Sequence, residues 1–195
     1  AQFEAGIHCL ETAILDYTVN GREQTRSGNR LAHMPAAPHG AYQCQGEDRW
    51  CTIAIFNDAE WEAFCNVIGN PSWCREERFS TMASRMKNTD QLDELIQEWT
   101  VNFSPEEVMT RMQQAGVPAG VVQNTRDLHQ DPQLAYRHHY WKLNHPEMGI
   151  CSYDGPSFRL SKTPGDLRRP APCLGEHNEY VYSQLLGLSD DEFVA

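Results

Sequence analysis

The sequence has little positive charge: 16 Lys and Arg residues stand against 27 Asp and Glu residues in 195, a formal net charge of −11. Because cationic contacts with phosphates supply most nucleic-acid affinity, this balance excludes a general nucleic-acid-binding role. No apolar run approaches the roughly 20 residues of a membrane span. No basic segment followed by an apolar stretch opens the chain, so we expect no secretory signal and no membrane partner. Any anionic ligand would need a local basic site, since the overall field disfavours it.

Common catalytic signatures are also missing. The sequence contains no P-loop, no GxGxxG and no GxSxG motif. Its seven cysteines form no CxxC or zinc-ligand spacing, so we expect no metal and interpret them as reduced thiols of a cytoplasmic protein. A disulfide between Cys44 and Cys51 would fit a hairpin, but the compartment argues against it. The neighbouring His138 and His139 point to opposite faces of a strand and lack ligand partners at a suitable spacing, which favours a surface role.

What is present is a strong pattern of local structure. An apolar stripe beginning at Phe3 and ending at Tyr17 predicts one amphipathic helix that stops at Asn20-Gly21. Further on, the pattern predicts a hairpin over 41–55 and capped helices that begin near 57 and 104, with an amphipathic helix between them that follows residue 88. It also predicts strands at 117–122, 140–143, 150–153 and 157–160. A final short helix is predicted around Val181–Leu186. The fold class that follows is α+β.

The same pattern divides the chain into three parts. A middle α+β unit over 41–163 contains its own caps and apolar faces. Before it lie a helix and a loop, 1–40, and after it a Pro-rich connector and a helix, 164–195. Both flanks carry apolar stripes with little local surface on which to bury them, so we expect their packing partner to lie elsewhere.

The loop between the first helix and the hairpin is the main candidate for a site. This loop, residues 30–38, is long, is uncharged after Arg30 and shows no periodic pattern of apolar residues. It brings Arg30, His33 and Met34 close together in the sequence. Ordered loops of this length are often functional. The alternative is a connector in a polyproline-like conformation, and the residues alone leave both interpretations open.

The ordered set of short motifs resembles the C-terminal half of a family III CoA-transferase, the CaiB/BaiF group that includes formyl-CoA and carnitine CoA-transferases. No single motif is specific to the family, but the motifs occur in the family's order and cover nearly the whole chain. The motifs are Asn20-Gly21, Ser27-Gly28-Asn29-Arg30, Pro38-His39-Gly40-Ala41-Tyr42, Asn57-Asp58-Ala59-Glu60-Trp61, Arg78-Phe79-Ser80-Thr81, Arg85-Met86-Lys87-Asn88, Ala115-Gly116-Val117-Pro118-Ala119-Gly120-Val121-Val122, Asp131-Pro132-Gln133, Ser161-Lys162-Thr163-Pro164 and Pro170-Ala171-Pro172-Cys173-Leu174-Gly175-Glu176-His177.

The resemblance implies an architecture and a chemistry. Both ends of such a chain build a Rossmann-like large domain, the middle builds a small α+β domain, and two subunits interlock as a homodimer. That assignment gives the two flanks a partner surface. An aspartate attacks acyl-CoA, and a carboxylic acid acceptor finally takes the CoA from an aspartyl thioester. Coenzyme A and acyl-CoA are thus the implied ligands, and no metal is required.

The resemblance also implies what this chain lacks. The nucleophilic aspartate belongs to the N-terminal half, so no residue here is assigned as catalytic, and this chain alone is expected to be inactive. The loop corresponds to the family's glycine-rich active-site loop, although residues 31–38 contain no glycine. On that basis Arg30, His33 and Met34 are candidate acyl-CoA-binding residues. Two alternatives stay open: an α-methylacyl-CoA racemase on the same fold, and a non-catalytic CoA-binding or assembly module.

Overall fold

The computed structural model of the chain describes residues 1–31 and 34–194. They form two compact units, Ala1–Val122 and Gln123–Ala195. The division of the sequence into 1–40, 41–163 and 164–195 concerns the placement of these segments in a larger protein, and it stays a prediction.

The first unit contains six helices and one sheet among its described residues. The chain order is α1 (Gln2–Cys9), α2 (Glu11–Asn20), β1 (His39–Gln43), β2 (Trp50–Ala54), α3 (Asp58–Val67), α4 (Met82–Lys87), α5 (Thr89–Thr100), α6 (Pro105–Gln114) and β3 (Ala119–Val122), with 3-10 turns at Ser72–Arg75 and Glu77–Phe79. The three strands are antiparallel in the order β1-β2-β3. The predicted hairpin and the strand at 117–122 are therefore confirmed.

The core of this unit lies between the sheet and the helices. Cys51, Ile53 and Ile55 alternate with exposed Thr52 along and just beyond β2, which is the period of two expected of a half-buried strand. Apolar residues of α3, α5 and α6 complete the core, among them Phe64, Leu92, Ile96, Val108 and Met112, all fully buried. The sheet and its helices give the adjoining loops a rigid base.

Local capping signals formed as predicted. The Asn57 side chain accepts a hydrogen bond from the Glu60 amide at 2.9 Å and begins α3. Ser104 and Glu107 form a reciprocal capping box at the start of α6. Such pairs act within three residues, so they are set by the sequence alone.

The first helix was predicted as one element and is two. The chain leaves the helical conformation at Leu10, where φ is −99° and ψ is 6°. Neither α1 nor α2 contains a buried residue, and Phe3 and Tyr17 on the apolar stripe are 78% and 60% exposed. Helices this short gain most of their stability from packing against other elements. Since no residue of α1 or α2 is buried, packing does not hold them together as one continuous helix.

The second unit contains a two-stranded sheet and short helical turns. Its elements are α7 (Thr125–Gln130), α8 (Pro132–Tyr136), β4 (Tyr140–His145), β5 (Gly149–Asp154), a π-helical turn at Tyr180–Leu185 and α9 (Asp190–Val194). β4 and β5 confirm the strands predicted at 140–143 and 150–153, and they pair as an antiparallel hairpin. The helix predicted around Val181–Leu186 is a π-helical turn rather than an α-helix. It ends before Gly187, whose φ is 72°.

The strand predicted at 157–160 is absent. The Gly155 amide donates to the His139 carbonyl at 2.7 Å, which closes the β4–β5 ladder. Pro156 then offers no amide hydrogen, and the segment finds no strand partner among the described residues. Apolar alternation alone could not supply that partner.

Candidate functional site

A cleft of about 480 Å³ opens in the first unit where the long loop meets the sheet. Its walls come from the loop before β1, from β1 itself and from the first turns of α5. The lining residues are Ser27, Gly28, Asn29, Arg30, His39, Gly40, Ala41, Tyr42, Thr89, Asp93, Glu94 and Gln97. This volume lies within the range of small-molecule sites.

Arg30 is the cationic group of this cleft. Its guanidinium forms an ion pair with the Asp90 carboxylate, and both side chains are largely exposed. An exposed pair of this kind contributes at most about 1 kcal/mol to stability, so the guanidinium exchanges partners at little cost. The position suits an anionic ligand group.

The floor of the cleft carries a tyrosine–aspartate pair that sequence reasoning missed. The Tyr42 hydroxyl donates to the Asp93 carboxylate at 2.6 Å. Burial and the neighbouring Asp93 charge raise the pKa of Tyr42, which stays a phenol. The only signal in the sequence is that Asp93 lies at the edge of the apolar stripe of α5, three residues before Ile96.

The pKa of Asp93 is raised in the folded chain, mainly because the carboxyl group is buried and also because the Asp90 charge lies nearby. The Tyr42 hydrogen bond and the Arg30 charge lower this pKa, but by less than burial raises it. The folded state therefore holds this proton more tightly than the unfolded chain does. The protonated Asp93 therefore contributes fully to folding stability below the unfolded pKa of about 3.9. This contribution is lost as the pH rises through the pKa of Asp93 in the folded chain.

Asp93→Asn should remove that loss, so the free energy of unfolding of the variant should gain on the wild type as the pH rises above the unfolded pKa of about 3.9. Urea unfolding at several pH values measures the difference. Because the Tyr42 hydrogen bond lowers the pKa of Asp93, Tyr42→Phe should raise it further, which a carboxyl-carbon NMR titration detects. A wild-type and an Asn variant whose stabilities run parallel over this pH range would contradict the assignment.

Arg85 fixes the end of the loop. Its side chain is fully buried, and its guanidinium donates to the carbonyls of Ala37 and Phe79 at 3.0 and 3.2 Å and to Asp58 at 2.9 Å. It also lies 4.6 Å from the centre of the Trp61 ring. Ala37 lies two residues before β1, so this one side chain ties the loop end to α3 and α4. Arg85 belongs to a motif quoted above, but its spacing gave no hint of this role.

The three candidate residues have different outcomes in the structure. Arg30 lines the cleft, whereas Met34 is 55% exposed and is not among the lining residues. His33 lies outside the described residues. Their assignment to acyl-CoA binding stays a prediction.

The described part of the chain offers neither a cluster of metal ligands nor a membrane-spanning helix. No group of three or more His, Cys, Asp or Glu side chains there is arranged to hold a metal ion. No helix within those residues is long and apolar enough to cross a membrane. All seven cysteines are free, including Cys44 and Cys51.

Comparison with known proteins defines the class. The model of CoA-transferase family III matches residues 1–178, and the chain belongs to this family. The resemblance and the α+β fold class predicted from the sequence are both confirmed.

Individual relatives agree with this assignment. The chain is 29% identical to a succinyl-CoA–D-citramalate CoA-transferase of Chloroflexus aurantiacus over 97% of its own length and 46% of the relative. It is 30% identical to a formyl-CoA:oxalate CoA-transferase of Streptomyces coelicolor over 88% of its length and 42% of the relative. A crystal structure of a CaiB/BaiF family protein from Brucella suis matches 90% of this chain and 44% of its own, with 26% identity and a TM-score of 0.75. The chain thus spans just under half of each of these three proteins.

Proposed function

We propose that the whole protein transfers CoA between carboxylic acids through an aspartyl intermediate, with the nucleophilic aspartate upstream of residue 1. The observation that carries this proposal is the family match over residues 1–178, together with relatives named as CoA-transferases. These relatives also extend well beyond the region that the chain matches, which leaves room for a nucleophile outside it.

The chemistry of Asp93 supports the same placement. A carboxylate nucleophile must have a free oxygen lone pair directed at the acyl carbon. One oxygen of Asp93 is engaged instead by the Tyr42 hydroxyl, at 2.6 Å. Asp93 is therefore a poor nucleophile, although it is the half-buried acid of the cleft.

The proposed reaction has four displacements. The upstream carboxylate attacks the acyl carbon and expels CoA thiolate, which leaves a mixed anhydride. The thiolate then attacks the aspartyl carbonyl and releases the donor acid, which leaves an aspartyl-CoA thioester. The acceptor carboxylate attacks that thioester and expels CoA thiolate, which leaves a second mixed anhydride. The thiolate finally attacks the acceptor carbonyl of this anhydride, forms the acceptor's CoA thioester and releases the aspartate.

This chain contributes to binding in the proposal. Arg30 offers a charge-assisted hydrogen bond to a carboxylate or phosphate, Met34 an adaptable apolar contact, and His33 a hydrogen bond. Arg85 holds the end of the loop that carries them. The exposed stripe on α1 and α2 supports the further proposal that these helices pack on the large domain of an interlocked homodimer. Seven free thiols support the cytoplasm as its compartment.

The decisive experiment uses the whole protein with an acyl-CoA donor and a carboxylic acid acceptor in deuterated water. A transferase forms the acceptor's CoA thioester without deuterium at the α-carbon of the donor, and intact mass shows a protein adduct of CoA less one water. A racemase would incorporate deuterium at that carbon without any acceptor. A non-catalytic module would bind acyl-CoA and give neither product.

The loop residues give a separate prediction. Replacing His33 and Met34 together by Ala in the whole protein should lower kcat/KM, because both side chains are proposed to border the acyl group. Stability should change by less than about 1 kcal/mol, as for other surface substitutions. Met86→Ala is the matched control, since Met86 on α4 is 44% exposed and lies away from the cleft. Unchanged kinetics with several acyl donors would identify the loop as a connector.

A further inference from the structure

A second cleft, of about 430 Å³, lies within the unit Gln123–Ala195. Its walls are the turn between α8 and β4, Trp141 of β4 and residues of the segment 156–165 that follows β5. This cleft belongs to a different unit from the one that contains Arg30, and the proposed transfer mechanism makes no use of it.

The charge of this cleft is opposite to that of the chain. Arg137, Arg159 and His138 line it, and its lining contains no carboxylate. The net charge of the whole sequence is −11, so a basic cleft is a local exception. An anion would be repelled by most of the surface and attracted here.

Neither arginine is neutralised by an acid. The Arg159 guanidinium donates to the Arg137 carbonyl, which orients it at the wall of the cleft. The acids that pair elsewhere in this unit do so with other cations, as in Arg168–Asp166 at 2.7 Å. Within the described part of the chain, no carboxylate lies in ion-pair range of Arg137 or Arg159.

The remaining walls are flat and apolar. Trp141, Phe158 and Leu160 line the cleft, and Phe158 and Leu160 are 65% and 50% exposed. Gly155 lets the indole lie directly on the backbone, because a Cβ there would come within 2.8 Å of Trp141 Cδ1 and of the His139 carbonyl. Contacts that close force a shift, so the wall depends on this glycine.

We propose that this cleft binds a small organic anion with a flat apolar body: its carboxylate or phosphate would be held by Arg137 and Arg159 and its body would lie against Trp141 and Phe158. Planar guanidinium groups suit both oxyanions, since each can receive two parallel hydrogen bonds. The volume accepts a molecule of about two fused rings.

The test measures binding of 2-naphthoate to the whole protein by calorimetry, with saturating free CoA present to occupy the CoA site without supplying an acyl donor. We expect a Kd of about 1 mM or tighter for a ligand of this size. Arg159→Gln and Arg137→Gln should each weaken binding by about tenfold or more. Arg169→Gln, an exposed arginine of the same unit outside the cleft, is the matched control and should leave Kd unchanged.

Further arms identify the ligand chemistry. The neutral 2-naphthamide should bind more weakly than 2-naphthoate, and 2-naphthyl phosphate shows which oxyanion is preferred. Gly155→Ala should weaken binding of both anions by displacing Trp141. The inference is overturned if 2-naphthoate does not bind, if free CoA abolishes its binding, or if both cleft arginine variants bind like the wild type. None of these outcomes depends on turnover, so a failure here is separate from a failure of the transferase proposal.

Discussion

Arg85→Met is expected to lower the free energy of unfolding by about 3–5 kcal/mol, the largest stability effect that we predict for this chain. The substitution keeps most of the side-chain volume and removes every donor. The buried carbonyls of Ala37 and Phe79 then lose their charged partner, and Asp58 loses its ion pair. Urea unfolding followed by circular dichroism measures the change.

Arg111→Met is the matched control for this experiment. Arg111 also lies over an aromatic ring, 4.1 Å from the centre of Phe103, but it is exposed. The same chemical change there removes a cation–π contact without exposing an unsatisfied carbonyl, so it should cost about 1 kcal/mol or less. Equal losses in the two variants would show that the hydrogen bonds of Arg85 contribute little.

Arg85→Lys separates charge from geometry. Lysine keeps the positive charge but lacks the rigid fork with which arginine reaches Ala37, Phe79 and Asp58 at once. We therefore expect a loss between those of the methionine variant and the wild type. In the whole protein the lysine variant should also lower kcat/KM, because the loop end at Ala37 is no longer held.

The purified 195-residue chain is expected to show no CoA transfer and no covalent adduct, whereas the whole protein shows both. Without the nucleophile the reaction cannot enter the covalent route, so activity is lost rather than reduced. Intact mass spectrometry after incubation with acyl-CoA tests this directly. Binding of acyl-CoA to the chain, measured in parallel, distinguishes a missing nucleophile from a missing binding surface.

A mass gain equal to CoA less one water on the isolated chain would place the nucleophile within these 195 residues. Asp93→Asn would then show whether the acid of the cleft carries it. Since that substitution retains a hydrogen-bond acceptor for Tyr42, it removes the nucleophile and leaves the local packing in place.

The parts of the fold that sequence reasoning predicted correctly are those set by neighbours. The start of α6 follows from Ser104 and Glu107, which are three residues apart and satisfy each other's backbone donors. The β1–β2 hairpin follows from two apolar segments joined by a short polar turn. The resemblance to CoA-transferase family III rested on many such short segments in order, and the family match confirms it.

What the sequence by itself determined about this protein is therefore its family, its α+β class and the starts of α3, α5 and α6. Tertiary structure alone decided the rest, because distant residues had to meet. Tyr42 reaches Asp93 across 51 positions, and Arg85 reaches Ala37 across 48. The apolar segment at 157–160 forms no strand, since alternation specifies a face but not a partner. Local patterns encode which conformations are favourable, whereas buried hydrogen bonds between distant elements decide which side chains form a site.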